Sequence, residues 1–338
     1  MIQVKVHILY GIVSEASGGG NQFLGALRKY CRSRSCYADD PADADVVLFN
    51  SHHFIDKVLR AKRRFPAKIF VHRIDGPMKL YNIKSDMRDD ITNIANRVLA
   101  DATIFQSDWS RENNYALGLL KKENETVIVN APDPEIFNRS GRKGIAPGPV
   151  RLIATSWSDN MKKGFEVYRW LDENLDFERY RMSFVGNSPL EFKNINHVRP
   201  VKSLELAGLL KEHAIFITGS QKDPCSNSLI EAMHCGLPAV ALHDGGHPEI
   251  VGQGGELFQR VEEIPLLLDR IVREYSRYEN AINLPRIDEV GHGYLDFIRN
   301  LMERVRQGRL RPGRLSFWEG LRVRFELLRW KYGLLFSR

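Results

Sequence analysis

Residues 218–251 read TGSQKDPCSNSLIEAMHCGLPAVALHDGGHPEIV. The apolar run AIFITGS (214–220) that leads into them is a strand by length and composition, and Pro224 with Ser226, Asn227 and Ser228 marks a loop. LIEAMHC (229–235) has helical spacing, and Gly236 with Pro238 stops it. PAVALHD (238–244) is the next strand, with a second glycine-rich loop, 243–249, at its end. Strand, loop, helix, strand in this order is the repeating unit of a parallel sheet covered by helices.

The same alternation runs outward from there. VRLIATS (150–156) and YRMSFVGN (180–187) precede it as strands of the same half. The first half supplies VKVHILYGIV (4–13), ADVVLFNS (44–51), AKIFVHRID (67–75), ATIFQSD (102–108) and TVIVNA (126–131). A glycine-rich turn, Ser17-Gly18-Gly19-Gly20-Asn21, opens the first helix, QFLGALRKY (22–30). NRSGRKGIAPGPV (138–150) has no periodicity and is rich in Gly, Pro and charge, as a linker is. The expected organisation is α/β: two Rossmann-like domains facing across a cleft, residues 1–140 and 151–298, joined by a linker at 141–150 and followed by a basic tail, 299–338. Such sheets bind ligands beyond the carboxyl ends of their strands.

The 338 residues, 43% apolar and 27% charged, suffice for two cores, and no apolar run approaches the roughly 18–20 residues of a membrane span. The N-terminus reads as a first strand rather than a signal peptide. The net charge of +7 is concentrated: residues 299–338 hold eleven Arg and Lys against three Glu, a net +8, so the remainder nets −1. A nucleic-acid partner is not expected, because the basicity lies outside the folded body. Cys31, Cys36, Cys225 and Cys235 have neither C-x-x-C nor zinc-finger spacing, and the expected location is cytoplasmic.

Within 218–251, Asp223 lies on the loop and Glu231 eight residues on, in the expected first turn of the helix. The N–H groups at that helix start form an anion site, worth up to about 1 kcal/mol per charge. Ser228-Leu-Ile-Glu231 also fits a capping box, which explains Glu231 by local stability alone. The Gly245-Gly246 loop at the adjacent strand end shifts the balance toward a cradle for a diphosphate.

The ordered set Asp223-x7-Glu231, A-M-x-C-G-x-P (232–238) and G-G-x-P-E-I-V (245–251) resembles the family 4 glycosyltransferases. The resemblance extends to TSWSDNMKKGF (155–165), HRIDGP (72–77), ADATIFQSDWS (100–110) and VIVNAPDPEIF (127–137), most of residues 1–260. It implies the GT-B fold, a nucleotide-diphosphate sugar as co-substrate, no other cofactor and no metal, and transfer of a hexose with retention to a glycan or lipid-linked acceptor, in surface polysaccharide synthesis. By position it implies that Glu231 holds the donor ribose, Asp223 contacts the transferred sugar, and Lys163 neutralises the diphosphate with the backbone of Asn227 and Ser228. Ser226, Ser158, Lys162, Gly245 and Gly246 fall in the same donor-binding segments, and Gly18, Gly19, Gly20 and Asn21 form the close-approach loop of the first domain. The chain departs from the family pattern at Asp223, where Glu is usual and the reach is longer by about 1.5 Å. It also has Ser158 where an Arg is common and Ser226 where Gly is common.

His72 has two readings, a core or capping histidine beside an Arg73–Asp75 surface pair, or a group facing the transferred sugar; Asp75 could otherwise bind an acceptor hydroxyl. A nicotinamide dehydrogenase fails, because Phe23 stands where the third glycine of G-x-G-x-x-G falls. No G-K-[ST] and no G-x-S-x-G occurs, against a P-loop nucleotidase and a serine hydrolase. An NDP-sugar epimerase or a non-catalytic nucleotide-sugar binder stays open.

In the tail, Phe317, Leu321, Phe325, Leu328, Tyr332 and Leu335 recur every three or four residues on one helix face, with arginines opposite. Two outcomes are open: the stripe packs on the first domain, or residues 316–338 bring the protein peripherally to an anionic membrane surface.

Overall fold

The structure, a computed structural model, describes residues 4–12, 19–83 and 85–336. The chain divides into two compact units, one of Met1–Ile12, Leu27–Val129 and Asp288–Arg338, the other of Val13–Ala26 and Asn130–Ile287.

In chain order the first half runs β1 (Val6–Leu9), α1 (Gly19–Ser33), β2 (Val46–Asn50), α2 (Ile55–Arg64), β3 (Ile69–Ile74), α3 (Met78–Tyr81), α4 (Arg88–Val98), β4 (Ala102–Phe105), α5 (Asp108–Ala116) and β5 (Glu125–Val127). The strands form one parallel sheet in the order β1-β2-β3-β4-β5. Strands β2, β3 and β4 are buried at every residue, which is why they read as continuous apolar runs rather than alternating ones.

The second unit carries β6 (Val150–Ser156), α6 (Phe165–Asn174), β7 (Tyr180–Gly186), β8 (Asn196–Val198), α7 (Ser203–Glu212), β9 (Ile215–Thr218), α8 (Asn227–His234), β10 (Ala239–Leu242), α9 (His247–Val251), β11 (Gly255–Phe258), α10 (Ile264–Arg273) and α11 (Tyr275–Ala281). Its sheet, order β11-β10-β9-β6-β7-β8, is also parallel throughout. The order reverses at β6, whose neighbours are β7 on one side and β9 on the other. That is the switch point at which doubly wound sheets open a crevice. Phe165, Tyr168, Phe184, Ile215 and Phe258 fill the core beneath.

Two long helices follow, α12 (Ile287–Arg306) and α13 (Phe317–Phe336). Helix α13 packs against α4 and α2. A reciprocal pair of bonds starts it: the Glu319 carboxylate accepts from the Ser316 amide (2.9 Å) and the Ser316 hydroxyl from the Glu319 amide (3.2 Å). Its packing face is Gly320, Val323, Leu327 and Trp330, with Val323 buried among Val58, Leu59, Ile91 and Ala95. The richer stripe of Phe317, Leu321, Phe325, Leu328 and Tyr332 points outward. The expected alternative of a buried stripe is therefore corrected: the helix has two apolar faces, and the smaller-volume one packs because Gly320 lets α13 approach Arg63 of α2. The side chain of Leu335, expected on the same stripe, lies outside the described residues.

Candidate functional site

A cleft of the second unit opens at the switch point. Thr155, Ser156, Val185, Gly186 and Thr218, the carboxyl ends of β6, β7 and β9, form its floor. Trp157, Ser158 and Lys163 come from the β6–α6 connection, and Pro200, Val201, Ser203 and Leu206 from the start of α7. Ser220, Asp223 and Cys225 of the β9–α8 loop and Asn227, Ser228 and Glu231 of α8 complete it, with Gly19 and Gln22 from the part of α1 grouped with this unit.

Helix α8 starts at Asn227, with Ser226 as its N-cap. The Ser226 hydroxyl makes no capping bond and lies 3.2 Å from the Ser228 hydroxyl. The first N–H groups of a helix have no partner within it, so Asn227 and Ser228 bring free donors to the cleft. The Asn227 side-chain oxygen accepts from Asn130 (3.0 Å), which holds the helix start in place. Gly19 is tightly fitted there, since a Cβ on it would run into the Asn227 side chain.

Glu231 is the fifth residue of α8, so the capping box expected from Ser228 to Glu231 is not formed; the third helical residue is Leu229. No hydrogen bond or ion pair reaches the Glu231 carboxylate among the described residues, and the residue is 8% exposed. Burial pushes its carboxyl up to about 8.

Lys163 reaches the cleft through a turn that ends at Gly164. Gly164 has φ +95° and caps α6; a Cβ on it would lie 2.7 Å from the backbone of Gly219, so only glycine allows this turn to pass so close to the end of β9. The Lys163 ammonium donates to Asp223 at 2.8 Å, and the Ser220 hydroxyl to the same oxygen at 3.2 Å. Burial alone raises the Asp223 carboxyl, but Lys163 and then His247 outweigh it and hold it below its usual range. His247, fully buried at the start of α9, donates from Nδ1 to the Leu242 carbonyl (2.9 Å), and burial lowers its imidazole from the usual range against the pull of Asp223. Sequence reasoning did not single out His247, although it follows the Gly245-Gly246 pair that was read as phosphate-binding.

That pair is elsewhere. The Gly246 amide donates to the Asp223 carbonyl at 2.9 Å, and Gly245 packs on the same carbonyl. Both glycines shape the Asp223 loop from behind instead of lining the cleft, which corrects the expected two-loop cradle. Ser226 and Lys162 are likewise not among the lining residues; the Lys162 carbonyl accepts from the Gln221 amide at 2.7 Å. Ser158 does line the cleft, and its hydroxyl accepts from the Asn160 amide at 3.2 Å. Gly20 and Asn21 follow Gly19 on α1 without lining the cleft, and Gly18 lies outside the described residues. Thr155, Ser156, Gly186 and the Pro200–Leu206 wall were missed; only their places at strand ends signalled them.

His72 belongs to the first unit and is a core residue. It has no exposed surface, stacks on Phe49 at 4.3 Å, and faces the Asn96 side chain (3.2 Å) and the Ser51 carbonyl (3.0 Å). Burial pulls its imidazole down to about 4. The reading of His72 as a group facing the sugar is therefore withdrawn. Arg73 is fully buried rather than part of a surface pair. Asp75 accepts from Arg73 (2.8 Å), Asn50 (2.9 Å), Ser51 (3.0 Å) and Gln106, so this carboxylate is already spent on joining the ends of β2, β3 and β4.

No group of three or more His, Cys, Asp or Glu able to hold a metal occurs among the described residues. Neither is any described helix long and apolar enough to cross a membrane.

Residues 166–274 match the family model of the Glycosyl transferases group 1. No curated protein matches the chain in sequence. Among solved structures, sucrose-phosphate synthase from Thermosynechococcus elongatus is 14% identical over 89% of this chain and 100% of its own, with a TM-score of 0.68. Starch synthase IV from Arabidopsis thaliana, its catalytic domain bound to ADP and acarbose, is 10% identical over 88% and 99%, TM-score 0.65. HepE from Anabaena, in complex with UDP and glucose, is 13% identical over 90% and 100%, TM-score 0.62. With its two parallel sheets the chain has the GT-B fold.

Proposed function

We propose that this chain is a metal-independent, retaining glycosyltransferase that moves a hexose from a nucleotide-diphosphate sugar to a glycan or lipid-linked acceptor in surface polysaccharide synthesis. The observation that carries the reading is the Glu231 carboxylate, buried and unbonded in the same cleft as the α8 N-terminus and Lys163. A buried acceptor without donors is costly. The paired hydroxyls of a ribose are donors of the right chemistry, and the free amides of Asn227 and Ser228 with Lys163 suit a diphosphate. Pro200, Val201 and Leu206 give the same cleft an apolar wall for a base. Support for a nucleotide comes from the UDP-glucose complex of HepE and the ADP complex of starch synthase IV.

The chemistry follows from charge. As the anomeric C–O bond breaks, its electron pair passes to the departing phosphate oxygen, and positive charge develops on the sugar. The amides of α8 and Lys163 stabilise the growing negative charge, which is electrostatic catalysis. Asp223 holds Lys163 in place beforehand and stays ionised. The acceptor hydroxyl enters on the leaving-group face and gives its proton to the departing phosphate oxygen, so no side-chain nucleophile is needed and retention results. No further cofactor enters this scheme. Four buried, free cysteines suit a reducing cytoplasm.

The test is a thermal-stability screen of UDP-, GDP- and ADP-sugars, followed by transfer to acceptor with and without EDTA. The right donor at 100 times its Kd adds about 2.7 kcal/mol. Failure of every nucleotide sugar to stabilise the protein sinks the proposal. Isomerised donor identifies an epimerase, binding without turnover a non-catalytic relative, and loss on EDTA restored by manganese a metal-dependent mechanism.

A further inference from the structure

We infer that the outward stripe of α13 is an interfacial docking helix for an anionic lipid surface. At 3.6 residues per turn, Phe317, Trp318, Leu321, Phe325, Leu328 and Tyr332 fall within about 100° of arc. Each is exposed, Trp318 by 76% and Phe317 by 67%, so the fold leaves a line of large apolar side chains on its surface. The opposite face is anchored through Gly320 and Val323, so the stripe is held outward rather than left to collapse onto the core.

Charge selects the occupant. Arg322 and Arg329 border the stripe on one side, Arg324 and Lys331 on the other. The two acids of the helix are turned away and already engaged, Glu319 in the Ser316 cap and Glu326 with Arg329 at 2.9 Å. Arg322, Arg324 and Lys331 have no acidic partner among the described residues. An apolar centre with cationic borders on both sides and Trp and Tyr at its rim matches a bilayer interface, where aromatic rings sit at headgroup depth and each nearby cation gains from anionic lipid. The helix lies along the surface: it is amphipathic, and no described helix qualifies to span.

Flotation with vesicles tests this without any substrate, and so independently of the transferase reading. The full chain is mixed with phosphatidylglycerol–phosphatidylcholine vesicles, or with phosphatidylcholine alone, at low and high salt. Two variants accompany it, Trp318→Ser with Phe325→Ser, and Arg322→Gln with Arg324→Gln and Lys331→Gln. All five side chains are exposed, so both variants should melt as wild type does. The expected result is salt-sensitive binding to the anionic vesicles, with each variant needing at least tenfold more lipid for half-binding. No binding at low salt, or equal binding by wild type and both variants, overturns the inference. So does a dimer in light scattering that Trp318→Ser with Phe325→Ser converts to monomer, because the stripe would then cover a second copy.

Discussion

Replacing Glu231 by Gln should stabilise the unliganded protein at pH 8 while weakening its donor binding. The carboxyl has its pKa raised to about 8 in the folded state, against an ordinary 4.5. Below about pH 4.5 it is protonated folded and unfolded alike, and burial costs nothing extra. As pH rises, the unfolded chain ionises while the folded one keeps its proton, so wild-type stability falls by about 1.4 kcal/mol per pH unit and levels off above about 8. Gln does not titrate and escapes this loss. A buried amide without partners carries its own cost of roughly 1–3 kcal/mol, but that cost is the same at every pH. The quantity to measure is therefore the change in the difference between variant and wild type, by urea unfolding at pH 5 and pH 8. It should grow by roughly 3–4 kcal/mol in favour of Gln. Over the same range, isothermal titration with the donor should show wild-type affinity rising with pH and the variant binding at least tenfold more weakly. A stability gap that does not move with pH would refute the unbonded carboxyl, and unchanged donor affinity would refute its role in binding.

Lys163→Ala leaves Asp223 buried beside Ser220 without its cation, and should lower stability by roughly 1–3 kcal/mol as well as weakening the donor; unfolding curves with donor titrations would separate the two effects, and unaltered donor affinity would confine Lys163 to structure. Gly19→Ala forces a methyl group against Asn227 and should weaken donor binding about tenfold with little change in melting temperature, because Asn227 must yield at the start of α8; full affinity in a folded variant would show that the helix start is not used. His72→Ala should cost roughly 2–4 kcal/mol through the cavity it opens while leaving kcat for surviving protein within twofold; a large loss of kcat at unchanged stability would return His72 to the site.

The strand pattern was readable because it rests on local composition. AIFITGS and VRLIATS are apolar enough to be buried on both faces, and from Leu152 and Ile215 on their strands are. The edge strands β8 and β11 were not read: Asn-His-Val is mostly exposed, and Gly255 follows another glycine. Motif spacing pointed to Glu231, which lines the cleft, but its surroundings depended on where α8 starts, and Ser226, Asn227 and Ser228 are all good caps. The Lys163–Asp223 pair joins residues 60 apart and has no local signature. For α13 the periodicity pointed to the wrong packing face, because hydrophobic weight favours the aromatic side whereas close approach to α2 and α4 favours the side with glycine and valine.

The route of the chain has a consequence for its synthesis. The first sheet and its partner helices are complete only when Asp288–Arg338 is present, yet Asn130–Ile287 lies between them. On the ribosome, at about 5–20 residues per second, that intervening stretch takes on the order of ten seconds to emerge. Throughout that interval β2 and β3 lack the helix whose Val323 closes their core. The second unit can settle first, except for the short N-terminal piece it borrows. The nascent first unit must meanwhile wait with apolar surface open, so chaperone capture should peak on chains between these two lengths. A premature stop between Ile287 and Val323 should yield polypeptides in which the later-made unit is folded and the earlier-made one is degraded.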